Sequence, residues 1–146
     1  MNRAKTATRV LSVLAALCLL LASLTACSGG ITREETQTAM DSLLSALDNE
    51  NYAEAAALYH PDAAMTEELL AAFAEQVKTK VGIDLTEGAT VEKITGISSS
   101  YYDSTVDGSR YALTAKIQAG DKTADLTVEV IRNDRGYGIF KVECNP

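Results

Sequence analysis

The stretch Tyr111-Ala112-Leu113-Thr114-Ala115-Lys116-Ile117-Gln118-Ala119-Gly120-Asp121-Lys122, continued by Ala124-Asp125-Leu126-Thr127-Val128-Glu129-Val130-Ile131, decides the fold. Tyr111, Leu113, Ala115 and Ile117 alternate with Ala112, Thr114, Lys116 and Gln118. An extended chain with this period of two sends its apolar side chains to one face and its polar ones to the other. Ala124, Leu126, Val128 and Val130 repeat the pattern against Asp125, Thr127, Glu129 and Ile131. The Ala119-Gly120-Asp121-Lys122 joint carries turn residues, and a short turn between alternating runs makes an antiparallel hairpin. Asn133-Asp134-Arg135-Gly136 repeats that chemistry before a last strand, Tyr137 to Cys144. Upstream, Val91 to Tyr102 reads as a first strand interrupted at Gly96. Four strands apolar on one face need a cover for that face.

The cover lies just upstream, where the period is about 3.6. Thr32 and Glu35 form a capping box, and Glu34 and Glu35 favour the positive end of a helix dipole. Met40, Leu43, Leu44 and Leu47 then fall on one helical face, and Asp48-Asn49-Glu50-Asn51 ends the run. Asn51, three residues before Glu54, caps a second short helix carrying Tyr52, Ala55, Ala56, Leu58 and Tyr59. Pro61 closes it, because proline disfavours helix at the preceding residue. Thr66-Glu67-Glu68 opens a third helix with the predicted inner stripe Leu69, Leu70, Phe73 and Val77; Lys78 and Lys80 suit its negative end, and Gly82 is its C-terminal cap. The predicted class is α+β, with three N-terminal helices packed on a curved four-stranded antiparallel sheet.

The first 26 residues have a different character. Arg3, Lys5 and Arg9 precede an apolar run from Val10 to Leu24, broken only by Ser12 and Ser23. Fifteen residues make a helix of roughly 22 Å, short of a hydrocarbon core of about 30 Å. A basic head, a short apolar run and small residues make a secretory signal and not a permanent span. Leu24-Thr25-Ala26-Cys27 closes it and resembles the bacterial lipobox. That resemblance implies a diacylglyceryl group on the Cys27 thiol and cleavage before Cys27, hence a protein held at the extracytoplasmic face of the cell membrane. The implied organisation is a signal peptide over 1–26, a lipidated tether over 27–31 and one domain over 32–146.

Residues 27–146 carry ten Lys and Arg against twenty Asp and Glu, a net charge of −10. Such a chain is repelled by nucleic acid, which is excluded as a partner. Of the three cysteines, the lipobox resemblance implies that Cys18 leaves with the signal and Cys27 takes the lipid. Cys144 then stands alone, so no internal disulfide is available and it reads as a small apolar strand residue. His60 is the sole histidine, which excludes a multi-histidine metal site. No phosphate-binding glycine loop or Ser/His/Asp order occurs. No metal, cofactor or catalytic residue is assigned.

Tyr52, Ala55, Leu58, Tyr59, Pro61 and Asp62, with a helix before them and Gly136-Tyr137-Gly138-Ile139-Phe140-Lys141-Val142 as the final strand, resemble the nuclear transport factor 2-like superfamily. The resemblance spans residues 32 to 146. It implies a cone in which a curved sheet wraps a long helix and leaves a pocket at its open end. Only Pro61 to Met65 separates the second and third helices, too short for the hairpin that many catalytic members insert there. The nearer likeness is to small bacterial lipoproteins with this fold. Tyr59, His60, Asp62 and Tyr101 are the candidate pocket residues. The expected function is a non-catalytic, membrane-anchored binding or interaction domain for a small molecule or an envelope protein. The alternative is a small hydrolase or isomerase using a Tyr/His/Asp pocket. The filling of the sheet's inner face discriminates them: converging polar groups favour a ligand or substrate site, and Leu, Val and Ile favour an interaction surface.

Overall fold

The computed structural model describes residues 30–100 and 107–146, with no side-chain account of Ser100. Cys27, Tyr101 and the whole proposed signal lie outside them. Three helices, α1 (Arg33–Asp48), α2 (Tyr52–Ala57) and α3 (Glu67–Lys80), precede four strands, β1 (Thr90–Ser100), β2 (Ser109–Ala119), β3 (Lys122–Asn133) and β4 (Gly136–Asn145). The strands form one antiparallel meander in the order β1-β2-β3-β4. Among the described residues no helix is long and apolar enough to cross a membrane.

Local chemistry sets the helix boundaries. The Thr32 hydroxyl accepts from the Glu35 N–H at 3.2 Å, and the Glu35 carboxylate accepts from the Thr32 N–H at 2.8 Å. Asn51 accepts from the Glu54 N–H at 3.2 Å, and Thr66 from the Leu69 N–H at 3.2 Å. Gly82 sits at φ +83°, the left-handed geometry that a helix C-terminus favours, and its N–H donates to the Val77 carbonyl.

The inner face of the sheet has the predicted phase. Leu113, Ala115, Ile117, Leu126, Val128 and Ile139 are buried against Met40, Leu43 and Leu47 of α1. Four positions depart from expectation. Leu69 is 54% exposed, because α3 turns Leu70, Ala74 and Val77 inward and leaves Phe73 only half-buried. Ile83 and Leu85, in the α3–β1 connection, are core residues that follow no period. Ile131 is buried on the outer face, at a register position between Arg110 and Gly138. Elsewhere that face carries cross-strand polar pairs: Thr114 with Thr127 at 2.9 Å, and Lys116 with Asp125 at 3.5 Å.

β1 carries a register device. Val91, Ile94 and Ile97 are spaced by three, which a regular strand would scatter over both faces. Register shifts between Val91 and Lys93 and between Ile94 and Gly96 insert an extra residue each, Glu92 and Thr95. The three aliphatic residues therefore pair with Ile117, Ala115 and Leu113, all on the inner face.

At the other edge, helix α2 stops earlier than the predicted Tyr59. The chain instead extends beside β4: the His60 N–H donates to the Ile139 carbonyl at 2.8 Å, and the Ile139 N–H donates to the Leu58 carbonyl at 2.9 Å. Two backbones come so close that a Cβ on Gly138 would lie 2.4 Å from the His60 nitrogen. Gly138→Ala should therefore destabilise the protein by about 2–3 kcal/mol, the range of overpacking, read as a lower denaturant midpoint.

Lys78, near the end of α3, pairs with Asp84 at 2.6 Å, and Asp84 also accepts from the Thr86 N–H and hydroxyl. The Lys78 hydrogen bond, then those from Thr86, hold the Asp84 carboxyl down at about 2. Its folded value lies below the unfolded value of about 3.9, so its stabilisation is present above pH 4 and lost as pH falls toward 2. Thermal melts of the wild type and Asp84→Asn should differ at pH 6 and converge by pH 2.

Candidate functional site

Tyr59, His60 and Asp62, three of the four predicted pocket residues, come together, but among the described residues none of them lines the α1–β1 groove or the α3–β4 crevice. Tyr59 is buried, and burial raises its phenol well above the usual range. His60 is 1% exposed. Its Nδ1 accepts from the Asp62 N–H at 3.1 Å, so the Nε2 carries the proton and donates to the Asn133 side-chain oxygen at 2.9 Å. Asn133 in turn donates from its amide nitrogen to the Asp62 carboxylate at 3.3 Å and to the Asp107 carbonyl at 3.1 Å. The Arg135 guanidinium grips both Asp62 oxygens, at 3.0 and 2.8 Å. The Arg135 hydrogen bond is the main cause that lowers the Asp62 carboxyl, with the Asn133 hydrogen bond and the Arg135 charge adding to it.

This network closes on itself. Both ring nitrogens of His60 are engaged, and a general base needs one within reach of a substrate proton. The residues fasten the chain after α2 to the β3–β4 hairpin, 73 positions away in sequence. A second tie joins the same end of the sheet to α1. Arg132 pairs with Glu35 at 2.6 Å, and the Tyr137 hydroxyl donates to the Glu35 carbonyl at 3.2 Å. Burial raises the Glu35 carboxyl, but the hydrogen bonds from the Thr32 backbone and Arg132 outweigh it and the net shift is downward.

Open space lies elsewhere. The larger groove, 630 Å³, runs between α1 and β1. Gln37, Asp41, Leu44 and Asp48 form its helical wall, and Val91 and Ile94 lie along its strand side. Val91 and Ile94 are half-buried, while Ile97, next on the same face, is 53% exposed. The acids in the groove are held differently. Asp48 accepts from the Gly88 N–H at 2.6 Å. Asp41 has no ion-pair partner among the described residues, and burial raises its carboxyl. A smaller crevice of 370 Å³ between α3 and β4 includes Phe73, Val77, Val142 and Cys144. Burial, then the nearby Asp125 charge, pushes the Cys144 thiol up to about 11, which makes it unreactive near neutral pH.

Sequence reading missed the groove because its strand side depends on the two bulges. The available signal was the spacing of three among Val91, Ile94 and Ile97 inside an otherwise extended run. No protein-family model, no curated protein and no solved structure matches this chain.

The network predicts a structural role for His60. His60→Ala should cost the Asn133 side-chain oxygen and the Asp62 N–H one hydrogen bond each, open a cavity, and destabilise the protein by about 2–4 kcal/mol. Denaturant titration reads the loss, and an unchanged midpoint would contradict the assignment.

Proposed function

We propose that this protein is a lipid-anchored, extracytoplasmic binding domain, related in fold to the nuclear transport factor 2-like proteins and without catalytic activity of its own. The observation that carries the reading is the contrast between the two sites. The His60 and Asp62 side chains are consumed by Asn133 and Arg135, whereas the α1–β1 groove stays open with a half-apolar lining. A hydrolase or isomerase needs a base that faces its substrate, and His60 lines neither the α1–β1 groove nor the α3–β4 crevice. In a groove of several hundred cubic ångströms, Leu44, Val91 and Ile94 offer apolar contact beside the polar Gln37, Asp41 and Asp48, a mixture that can hold and orient a small molecule.

The fold relationship rests on the order of elements, helices first and then a four-stranded meander laid over α1. The membrane placement rests on Arg3, Lys5 and Arg9, the apolar run to Leu24, and Cys27. Two acyl chains give stable anchoring where one does not. The five-residue tether 27–31 keeps the domain near the bilayer, within reach of ligands and envelope proteins at that surface.

Intact-mass analysis of the native protein tests the placement. The expected N-terminus is a diacylated Cys27, and Cys27→Ala should leave unprocessed or released protein in a fractionation. A native chain that retains Met1 to Ala26, or an unmodified Cys27, rejects the anchor.

A further inference from the structure

We propose that the α1–β1 groove binds a small organic cation, with its ammonium or guanidinium group at Asp41 and its apolar body against Leu44, Val91 and Ile94. This deepens the binding-domain reading and rests on it.

Shape gives the first argument. At 630 Å³ the groove lies within the roughly 300–1,000 Å³ of small-molecule sites. It is formed by a four-turn helix, a bulged strand and the Gly88-Ala89 approach to that strand, which the Asp48–Gly88 hydrogen bond ties to the helix. Charge gives the second. Asp41, Asp48 and Glu92 face Lys93 as the single basic side chain on the lining. An anion there would also meet the field of a domain with a net charge of −10. Chemistry gives the third. Asp48 is committed to the Gly88 N–H, while Asp41, an exposed side chain on the groove wall whose carboxyl partial burial raises, has no ion-pair partner among the described residues. A carboxylate in that state gains more from an arriving cation than a fully hydrated one. The bulges at Glu92 and Thr95 argue for a small molecule over an added peptide strand. They break the even spacing of backbone groups that a new strand would need along β1.

The test uses the full-length chain in zwitterionic nanodiscs with methyl-labelled isoleucine. Benzylammonium, benzyl alcohol and benzoate share one apolar body and differ in charge. Benzylammonium should shift the Ile94 and Ile97 methyl signals saturably, with benzyl alcohol about tenfold weaker and benzoate weaker still, the difference one charge-assisted contact makes. Asp41→Asn should lose that preference and bring benzylammonium to the level of benzyl alcohol. The same substitution should slightly raise Tm at pH 7. A carboxyl raised by burial is penalised when charged, and that penalty is present above its folded value and vanishes as pH falls below its unfolded one. A binding loss with Tm kept or raised therefore cannot come from misfolding. Equal affinity for the alcohol and the ammonium, or a preference for benzoate, overturns the cation inference and leaves a neutral or anion-binding groove. No methyl shift with any probe overturns both the inference and the groove as a ligand site, whatever the mass of the N-terminus shows.

Discussion

A single helix cannot roof four strands. Strands lie about 4.8 Å apart, so the outer two of this sheet are separated by roughly 14 Å, while a helix with its side chains is about 10 Å across. Helix α1 is laid chiefly over β2 and β3, where Leu43 and Leu47 meet Leu113, Ile117 and Leu126. Everything at the two edges of the sheet follows from what that helix cannot reach. On the β4 side the gap is closed by chain: Leu58 to His60 runs beside Ile139, and Gly138 has no side chain to keep the backbones apart. On the β1 side nothing among the described residues closes it. The inner face of β1 therefore grades from half-buried Val91 and Ile94 to exposed Ile97, and the groove is the uncovered remainder.

That asymmetry explains what could be read from the residues. Caps and turns are local, so Thr32 with Glu35, Asn51 with Glu54, and the Gly120-Asp121 turn all stood in the sequence, as did the burial phase of β2 and β3. The phase of β1 did not. A spacing of three contradicts a period of two until two inserted residues reset it, and a bulge has no composition of its own. Leu69 and Leu70 are adjacent leucines near the start of one helix, and only the direction from which the core approaches decides between them. Ile83 and Leu85 are buried because the α3–β1 connection passes under the sheet's end, a tertiary fact without a periodic signature.

The candidate site was legible in membership but not in meaning. Tyr59, His60 and Asp62 were singled out as adjacent polar groups, and they do assemble. Their partners, Asn133 and Arg135, lie more than seventy residues downstream, where they read only as turn residues. A lone histidine near an aspartate carries the same letters whether it serves a substrate or fastens two segments. What separates the cases is burial with both ring nitrogens occupied: His60 is enclosed, and each of its polar atoms has a protein partner. A buried polar group without partners is costly, and one whose partners are all internal is part of the scaffold.

The carboxylates carry this distinction further. Asp62 and Asp84 lie in the same acidic domain as Asp41, yet their charges are answered, by Arg135 and by Lys78, and both carboxyls are held low. Glu35 is answered by Arg132 and the Thr32 backbone. In each of these three the partner joins elements that would otherwise separate: the turn after α2 to a hairpin, α3 to its following loop, α1 to β3. Among the described residues Asp41 joins nothing. It lies in the middle of α1 on the wall of the groove beside β1, an exposed side chain whose carboxyl is raised by partial burial, with no ion-pair partner among the described residues. A ligand with a complementary charge would give this carboxylate the kind of partner that Asp62, Asp84 and Glu35 find within the protein.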